Sequence, residues 1–216
     1  MTFSIVARCP QTQIIGAVTA TAGPAVGALV LHGASQSGAI ATQAMTNPVL
    51  GLDGIELLKK NLSAKDCLNS LLANDGSPFV RQLIVLDAQG DSASWTGQEC
   101  LPWCGSLSEA DLAIAGNMLA GEQVLAAIHE SYHQNSNIPL ADRLLLAMQA
   151  GAKAGGDYRG IRSAALKVWN NRKYADIDIR ADWSEQPLSD LTAILHQVRS
   201  DNYANFFAQI PTGMEK

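Results

Sequence analysis

Three stretches of this sequence carry residue types and spacings that could do chemistry. The first is Met1-Thr2. Methionine before threonine is a pair that aminopeptidases trim, because threonine is small, and trimming would leave Thr2 with a hydroxyl and a free α-amine on one residue. Such a residue is a nucleophile with its own base: an α-amine has an ordinary pKa of about 7.7–8.0, so an appreciable fraction is neutral near pH 7. The bland alternative is that Thr2 merely follows an initiator. The second stretch, His129-Glu130-Ser131-Tyr132-His133, is a literal H-E-x-x-H. On a helix its histidines share one side, as two zinc ligands around a general-base glutamate must. The core face of that helix, through Val124, Ala127, Ile128 and Tyr132, leaves both histidines at its margin or in solvent. No third ligand can be named from the sequence, so two exposed histidines are the favoured reading and no metal or cofactor is expected. The third stretch, Cys100-Leu101-Pro102-Trp103-Cys104, has three intervening residues instead of the two of redox or zinc-ribbon pairs, and no metal is expected there either.

The elements that must position these residues follow from periodicity and punctuation. Residues 2–8 alternate Phe3, Ile5 and Ala7 with Thr2 and Ser4, which predicts a strand buried on one face, with Ser4 on the face of Thr2. After a turn at 9–12, residues 14–21 return as a strand of small side chains that carries Thr19 and Thr21. Residues 26–32 and 38–44 read as the third and fourth strands, the last ending near Gln43. Two helices follow, one capped by Asn47 with Pro48 in its first turn and running through 51–60, the other opening at Ser63 with Asp66 in capping-box position. They should lie together on one face of a sheet. Residues 81–87 and 91–97 form a hairpin, and 112–115 a strand broken by Gly116-Asn117. Helical spacing is expected over 118–133 and 139–154, paired strands over 163–169 and 175–180, and a terminal helix over 188–207. No linker or repeat divides the chain, so 1–216 is expected to be one domain, α+β in class, with helices on both outer faces of two stacked, mainly antiparallel sheets.

Composition narrows the partners. The chain is 47% hydrophobic and only 16% charged, with a net charge of −5, which fits a large core and hints that some surface is covered in a homo-oligomer. The acidic balance and the lack of a basic stripe speak against nucleic acid and anionic membranes as partners. No apolar run approaches the roughly 20 residues of a membrane helix, and nothing resembles a secretory leader, so a cytoplasmic protein is expected. Four scattered cysteines are expected to be free thiols.

Several words taken jointly carry a resemblance: Met1-Thr2-Phe3-Ser4-Ile5-Val6-Ala7-Arg8, Ala41-Thr42-Gln43-Ala44, Thr96-Gly97, Gly116-Asn117-Met118-Leu119-Ala120-Gly121, Gly155-Gly156-Asp157-Tyr158-Arg159-Gly160 and Ser163-Ala164-Ala165. Over residues 2–182 the chain resembles the bacterial and archaeal family called domain of unknown function one-thousand-and-twenty-eight, with 187–216 left as a terminal helix and tail. That family is similar to the N-terminal-nucleophile hydrolases, and the resemblance implies a four-layer αββα sandwich. It further implies Thr2 as the attacker of an amide carbonyl. Asn117, and likewise Gln43, would offer donors to an anion, and Asp157 with Ser163 would match the acid and hydroxyl that support the nucleophile in proteasome-like enzymes. Arg159 would bind a substrate carboxylate or simply pair with Asp157. Thr19 and Thr21 stand where proteasome-like relatives carry an acid, and the first lysine is Lys59, so the base would have to be the α-amine, helped by hydroxyls. In the family a Cys-x-x-Trp word follows Thr-Gly, which makes Cys100 and Trp103 loop-shaping residues. The function expected is hydrolysis of a C–N bond in a small amide or peptide-like substrate. The alternatives are a non-catalytic binding protein on the same fold and, third, a zinc peptidase through His129, Glu130 and His133.

Overall fold

The computed structural model describes residues 2–214. Strand β1 (Thr2–Arg8) is buried along its whole length and lies in the interior of a six-stranded antiparallel sheet. Its neighbours are β2 (Ile15–Thr21) and, on the other side, a strand from the middle of the chain. Beyond them the chain runs through β3 (Leu31–Ala34), β4 (Gly38–Ala44), helix α1 (Pro48–Leu58), helix α2 (Ala64–Asn74), β5 (Arg81–Asp87), β6 (Ser92–Thr96), β7 (Gly105–Glu109) and β8 (Leu112–Asn117). It then continues with helices α3 (Gln123–Gln134) and α4 (Leu140–Lys153), strands β9 (Ser163–Trp169) and β10 (Ile177–Ala181), and helices α5 (Pro187–Val198) and α6 (Asp201–Gln209). The first sheet has the order β10-β9-β2-β1-β8-β7 and the second β3-β4-β5-β6.

Side chains sort into three cores, and these define the layers. Phe3, Ile5 and Ala7 of β1 point outward and pack with Val124, Ile128, Leu144, Met148 and Leu191 beneath α3, α4 and α5. Val6, on the opposite face, joins Ala17, Ala39, Ala41, Ala115 and Ala165 between the two sheets. Small residues on both inner faces let the sheets approach, as sheet-on-sheet packing requires. Ile40, Leu83 and Val85 turn to the far side of the second sheet and meet Leu50, Leu58 and Leu71 of α1 and α2. The result is the αββα sandwich, and β1 is buried on both faces because it has helices on one side and a sheet on the other. The expectation of a single buried face is thereby corrected.

Local chemistry accounts for the helix starts. Asn47 caps α1 by accepting from the Val49 N–H at 3.2 Å, with Pro48 at the first position, and Ser63 caps α2 by accepting from the Asp66 N–H at 3.1 Å. Other expectations give way. Residues 26–32 are not a strand: Val26–Ala28 is a 3-10 turn entered through Ala25 at φ 52°, and only Leu31–Ala34 pairs. Gly116 and Asn117 continue β8 instead of ending it, and α3 begins at Gln123, not at 118. The terminal helix over 188–207 is two helices, because Ser200 takes an extended ψ of 152° between them. β7 was not foreseen: its sequence, Gly-Ser-Leu-Ser-Glu, has almost no apolar period, as befits a sheet edge.

Candidate functional site

The inner face of the six-stranded sheet becomes polar at the end where β1 begins. Register aligns Thr2 with Asn117 of β8 and Thr21 of β2 with Ser163 of β9. Thr21 in turn follows Ala20, the partner of Phe3. Ser163, Thr21, Thr2 and Asn117 therefore form one row across four adjacent strands, all buried, with Thr2 6% exposed. The Thr2 and Thr21 hydroxyl oxygens stand 3.5 Å apart. One step inward lies a second row with Ser4 opposite Thr19, their hydroxyls 2.8 Å apart. Alternation along each strand explains both rows, since residues two apart share a face.

Three buried amides tie this end of the first sheet to the second. Gln43 of β4 donates through Nε2 to the Thr2 carbonyl at 3.2 Å and to Gln82 Oε1 at 2.7 Å, while its Oε1 accepts from Ser4 Oγ at 2.5 Å. Asn117 donates to the same Thr2 carbonyl at 3.4 Å and to the same Gln82 oxygen at 2.9 Å. Gln82 of β5 closes the network by donating to Thr96 Oγ1 at 2.9 Å and to the carbonyls of Gly105 at 3.1 Å and Gly116 at 2.9 Å. Low dielectric strengthens each of these bonds and makes a missing partner costly, so the network fixes the Thr2 backbone firmly. Sequence reasoning missed Gln82. The signal was present, because Gln82 occupies the inward register of β5 shared with Ile84 and Leu86, where an apolar residue is expected.

The remaining residues singled out from the sequence fall into two groups. Asp157, with a fully buried side chain, accepts from the Ala22 N–H at 2.9 Å and the Arg159 N–H at 3.0 Å, and the half-exposed Arg159 guanidinium pairs with it at 3.2 Å. Ser163 donates to the Gly23 carbonyl at 2.7 Å and accepts from the Val26 N–H at 3.2 Å. Both side chains thus anchor the segment directly after Thr21. Gly155, Gly156 and Gly160 around Asp157 take positive φ of 121°, 48° and 93°, a backbone that only glycine adopts freely. His129, Glu130 and His133 lie elsewhere, on α3 at the outer surface of the helical layer.

A cleft of about 360 Å³ opens beside Asn117, the strand partner of Thr2, and is lined also by Ala44, Met45, Cys100, Leu101 and Met118. Ala44 and Met118 each follow a network amide and each takes left-handed φ, 67° and 52°. Backbone of this kind persists where surrounding bonds over-determine it. Here the Met45 N–H donates to Val80 O at 3.2 Å and the Met118 N–H to Leu101 O at 2.9 Å. Burial, with Cys104 nearby, pushes the Cys100 thiol above its ordinary value, so it enters the cleft wall as a neutral group. The arrangement holds the Thr2 backbone rigidly and sets a pocket of small-molecule size at its strand partner Asn117.

Two stacked antiparallel sheets covered on both outer faces by helices define the fold class as an αββα sandwich, with a hydroxyl-bearing residue at the start of a central strand. No helix among the described residues is long and apolar enough to cross a membrane. The chain belongs to the family described as Family of unknown function (DUF1028), whose model matches residues 2–191. The crystal structure of protein SPO2555 from Silicibacter pomeroyi, which carries the same family model, aligns with a TM-score of 0.90 at 30% identity, covering 98% of this chain and 95% of its own. Anbu, the ancestral beta-subunit from Yersinia bercovieri, aligns at a TM-score of 0.39 and 11% identity over 97% of this chain and 98% of its own. Among curated proteins, none matches.

Proposed function

We propose that this protein is an N-terminal-nucleophile amidohydrolase that cleaves the C–N bond of a small amide or peptide-like substrate through Thr2. The observation that supports it is the setting of Thr2: its carbonyl accepts from two buried amides, and its strand partner lines a cleft of about 360 Å³. Removal of Met1 frees the α-amine. The neutral amine takes the proton from Thr2 Oγ1 as that oxygen attacks the substrate carbonyl, giving a tetrahedral adduct. Collapse of the adduct breaks the C–N bond, and the ammonium returns its proton to the leaving nitrogen. Water, deprotonated by the same amine, then hydrolyses the acyl ester and regenerates the hydroxyl.

The other polar residues act by positioning. Gln43 and Asn117 hold the Thr2 carbonyl, Ser4 holds Gln43 and is itself held by Thr19, and Asp157 and Ser163 hold the segment beside Thr21. Arg159 braces Asp157. A second reading, a binding protein on this fold without turnover, is favoured by one observation: Thr2 is only 6% exposed.

Two measurements separate them. N-terminal mass analysis of protein made in its own host is expected to find Thr2 as the first residue. A panel of small amides and ureides is expected to include a substrate whose turnover falls at least about a thousandfold in Thr2→Ala and recovers in part in Thr2→Ser. Equal turnover by wild type and Thr2→Ala removes Thr2 from the chemistry, and a retained Met1 on most molecules favours the binding reading.

A further inference from the structure

The H-E-x-x-H stretch acquires in the fold the third donor that the sequence could not name. Helix α3 lies against the β7–β8 hairpin, and Glu109, the last residue of β7, sits opposite Leu112 in that hairpin. Its backbone is held there, since Ser92 Oγ donates to the Glu109 carbonyl at 2.7 Å. From this fixed point its carboxylate meets both histidines: His133 Nε2 lies 2.5 Å from Oε1 and His129 Nε2 lies 3.2 Å from Oε2. The two imidazoles stand edge to face with centroids 4.5 Å apart, and the His133 ring rests against the buried ring of Tyr132, centroids 5.7 Å apart.

From this geometry we propose that His129, His133 and Glu109 form a binding site for a divalent transition ion, zinc by donor chemistry, that clamps α3 to the β7–β8 hairpin. One donor atom from each residue lies within 4.8 Å of the others. Tetrahedral zinc with bonds of roughly 2.0–2.2 Å sets its donors roughly 3.3–3.6 Å apart, so side-chain rotation alone brings the three into place. Two neutral imidazoles and one carboxylate suit zinc better than calcium or magnesium, which take all-oxygen shells. Three protein ligands also leave a fourth position for water.

The site does not make this chain a zinc peptidase. Glu130, the base of such an enzyme, is instead engaged along its own helix, where its Oε1 accepts from Gln134 Nε2 at 2.9 Å. The donors are well exposed, with side-chain exposures of 38%, 49% and 39% for His129, His133 and Glu109, so they stand on a surface and not in a substrate cleft. The role of the ion is a tie between two elements.

The test uses the full chain, stripped with chelator and titrated with zinc chloride by calorimetry, with melting followed in parallel. Wild type is expected to bind one zinc per chain and to melt higher in its presence. His129→Ala, His133→Ala and Glu109→Gln are each expected to weaken binding by at least roughly tenfold, the loss typical of even an indirect partner, while melting as wild type does without metal. Glu130→Gln is expected to bind as wild type. Cobalt substitution reads the donors directly: a d–d spectrum without a thiolate charge-transfer band supports the imidazole and carboxylate set. The proposal is overturned if the His129→Ala/His133→Ala double variant binds as tightly as wild type, if cobalt shows thiolate ligation, or if Glu130→Gln abolishes binding. A variant that melts early without metal is replaced by His129→Gln or His133→Gln, and undiminished binding there overturns it equally.

Discussion

Cys67 is on the buried face of α2, where burial, reinforced by the Asp87 carboxylate, pushes its thiol up to about 11. Burial also raises Cys100, with Cys104 adding to it, and raises Cys104 itself. Cys9 goes the other way: burial acts to raise it, but hydrogen bonds with Thr12 and Gln11 outweigh that and leave it below its ordinary value. The thiolate is the reactive form, so a lowered pKa means a larger reactive fraction at any given neutral pH. Iodoacetamide at mildly alkaline pH is therefore expected to alkylate Cys9 first and Cys67 last, as read by peptide mapping. Prompt labelling of Cys67 in folded protein would contradict its burial. At this same scale Thr2, Ser4, Thr19, Gln43 and Asn117 were legible in the sequence because polar residues recur on one strand face or at strand ends. Gln82 was not, since a single glutamine within an apolar strand carries no sign of what it will meet across the sandwich.

Helix starts were readable because a cap is a contact between neighbours in sequence, and Asn47 and Ser63 make the bonds that their spacing promised. The Thr96-Gly97 word shows a second kind of local reading, whose reason emerges only in the fold. Thr96 accepts from Gln82, and the Gly97 N–H donates to Arg81 O at 2.9 Å. A Cβ on Gly97 would lie 2.2 Å from the Phe79 carbonyl oxygen, a backbone atom that cannot swing aside. Gly97→Ala is expected to destabilise the protein by about 2–3 kcal/mol, within the range of overpacking at a rigid contact, as measured by urea unfolding. An unchanged midpoint would mean that the 78–80 turn moves freely. The unforeseen β7 belongs here too: an edge strand of Gly, Ser and Glu is stabilised by its partner β8, not by its own propensity.

Across the whole molecule the two sheets meet through alanine-rich faces, and the Gln43, Gln82 and Asn117 network joins them at one end. Gln82→Leu keeps the volume but leaves amide groups of Gln43 and Asn117 and the carbonyls of Gly105 and Gly116 without their partner. Each buried group so orphaned costs about 1–3 kcal/mol before relaxation. A net loss of about 3 kcal/mol is expected, which for a chain of this size lowers Tm by roughly 6–12 °C in calorimetry. Because the amides act as a unit, adding Asn117→Leu should lower it by much less than the two separate losses combined. Additive losses would show that the amides stand alone.

By itself the sequence determined what depends on neighbours in the chain: strands of period two, capped helices, a hydroxyl at residue 2, and family words that imply the αββα layers. Tertiary structure decided which distant residues meet. Asn117 faces Thr2 because β8 pairs with β1, Gln82 reaches the Thr2 carbonyl's own donors because the sheets stack, and Glu109 meets His129 and His133 because α3 crosses the edge hairpin. Such meetings are set by strand register and layer packing, which are properties of the whole chain's burial and leave no mark at any one of the residues they unite.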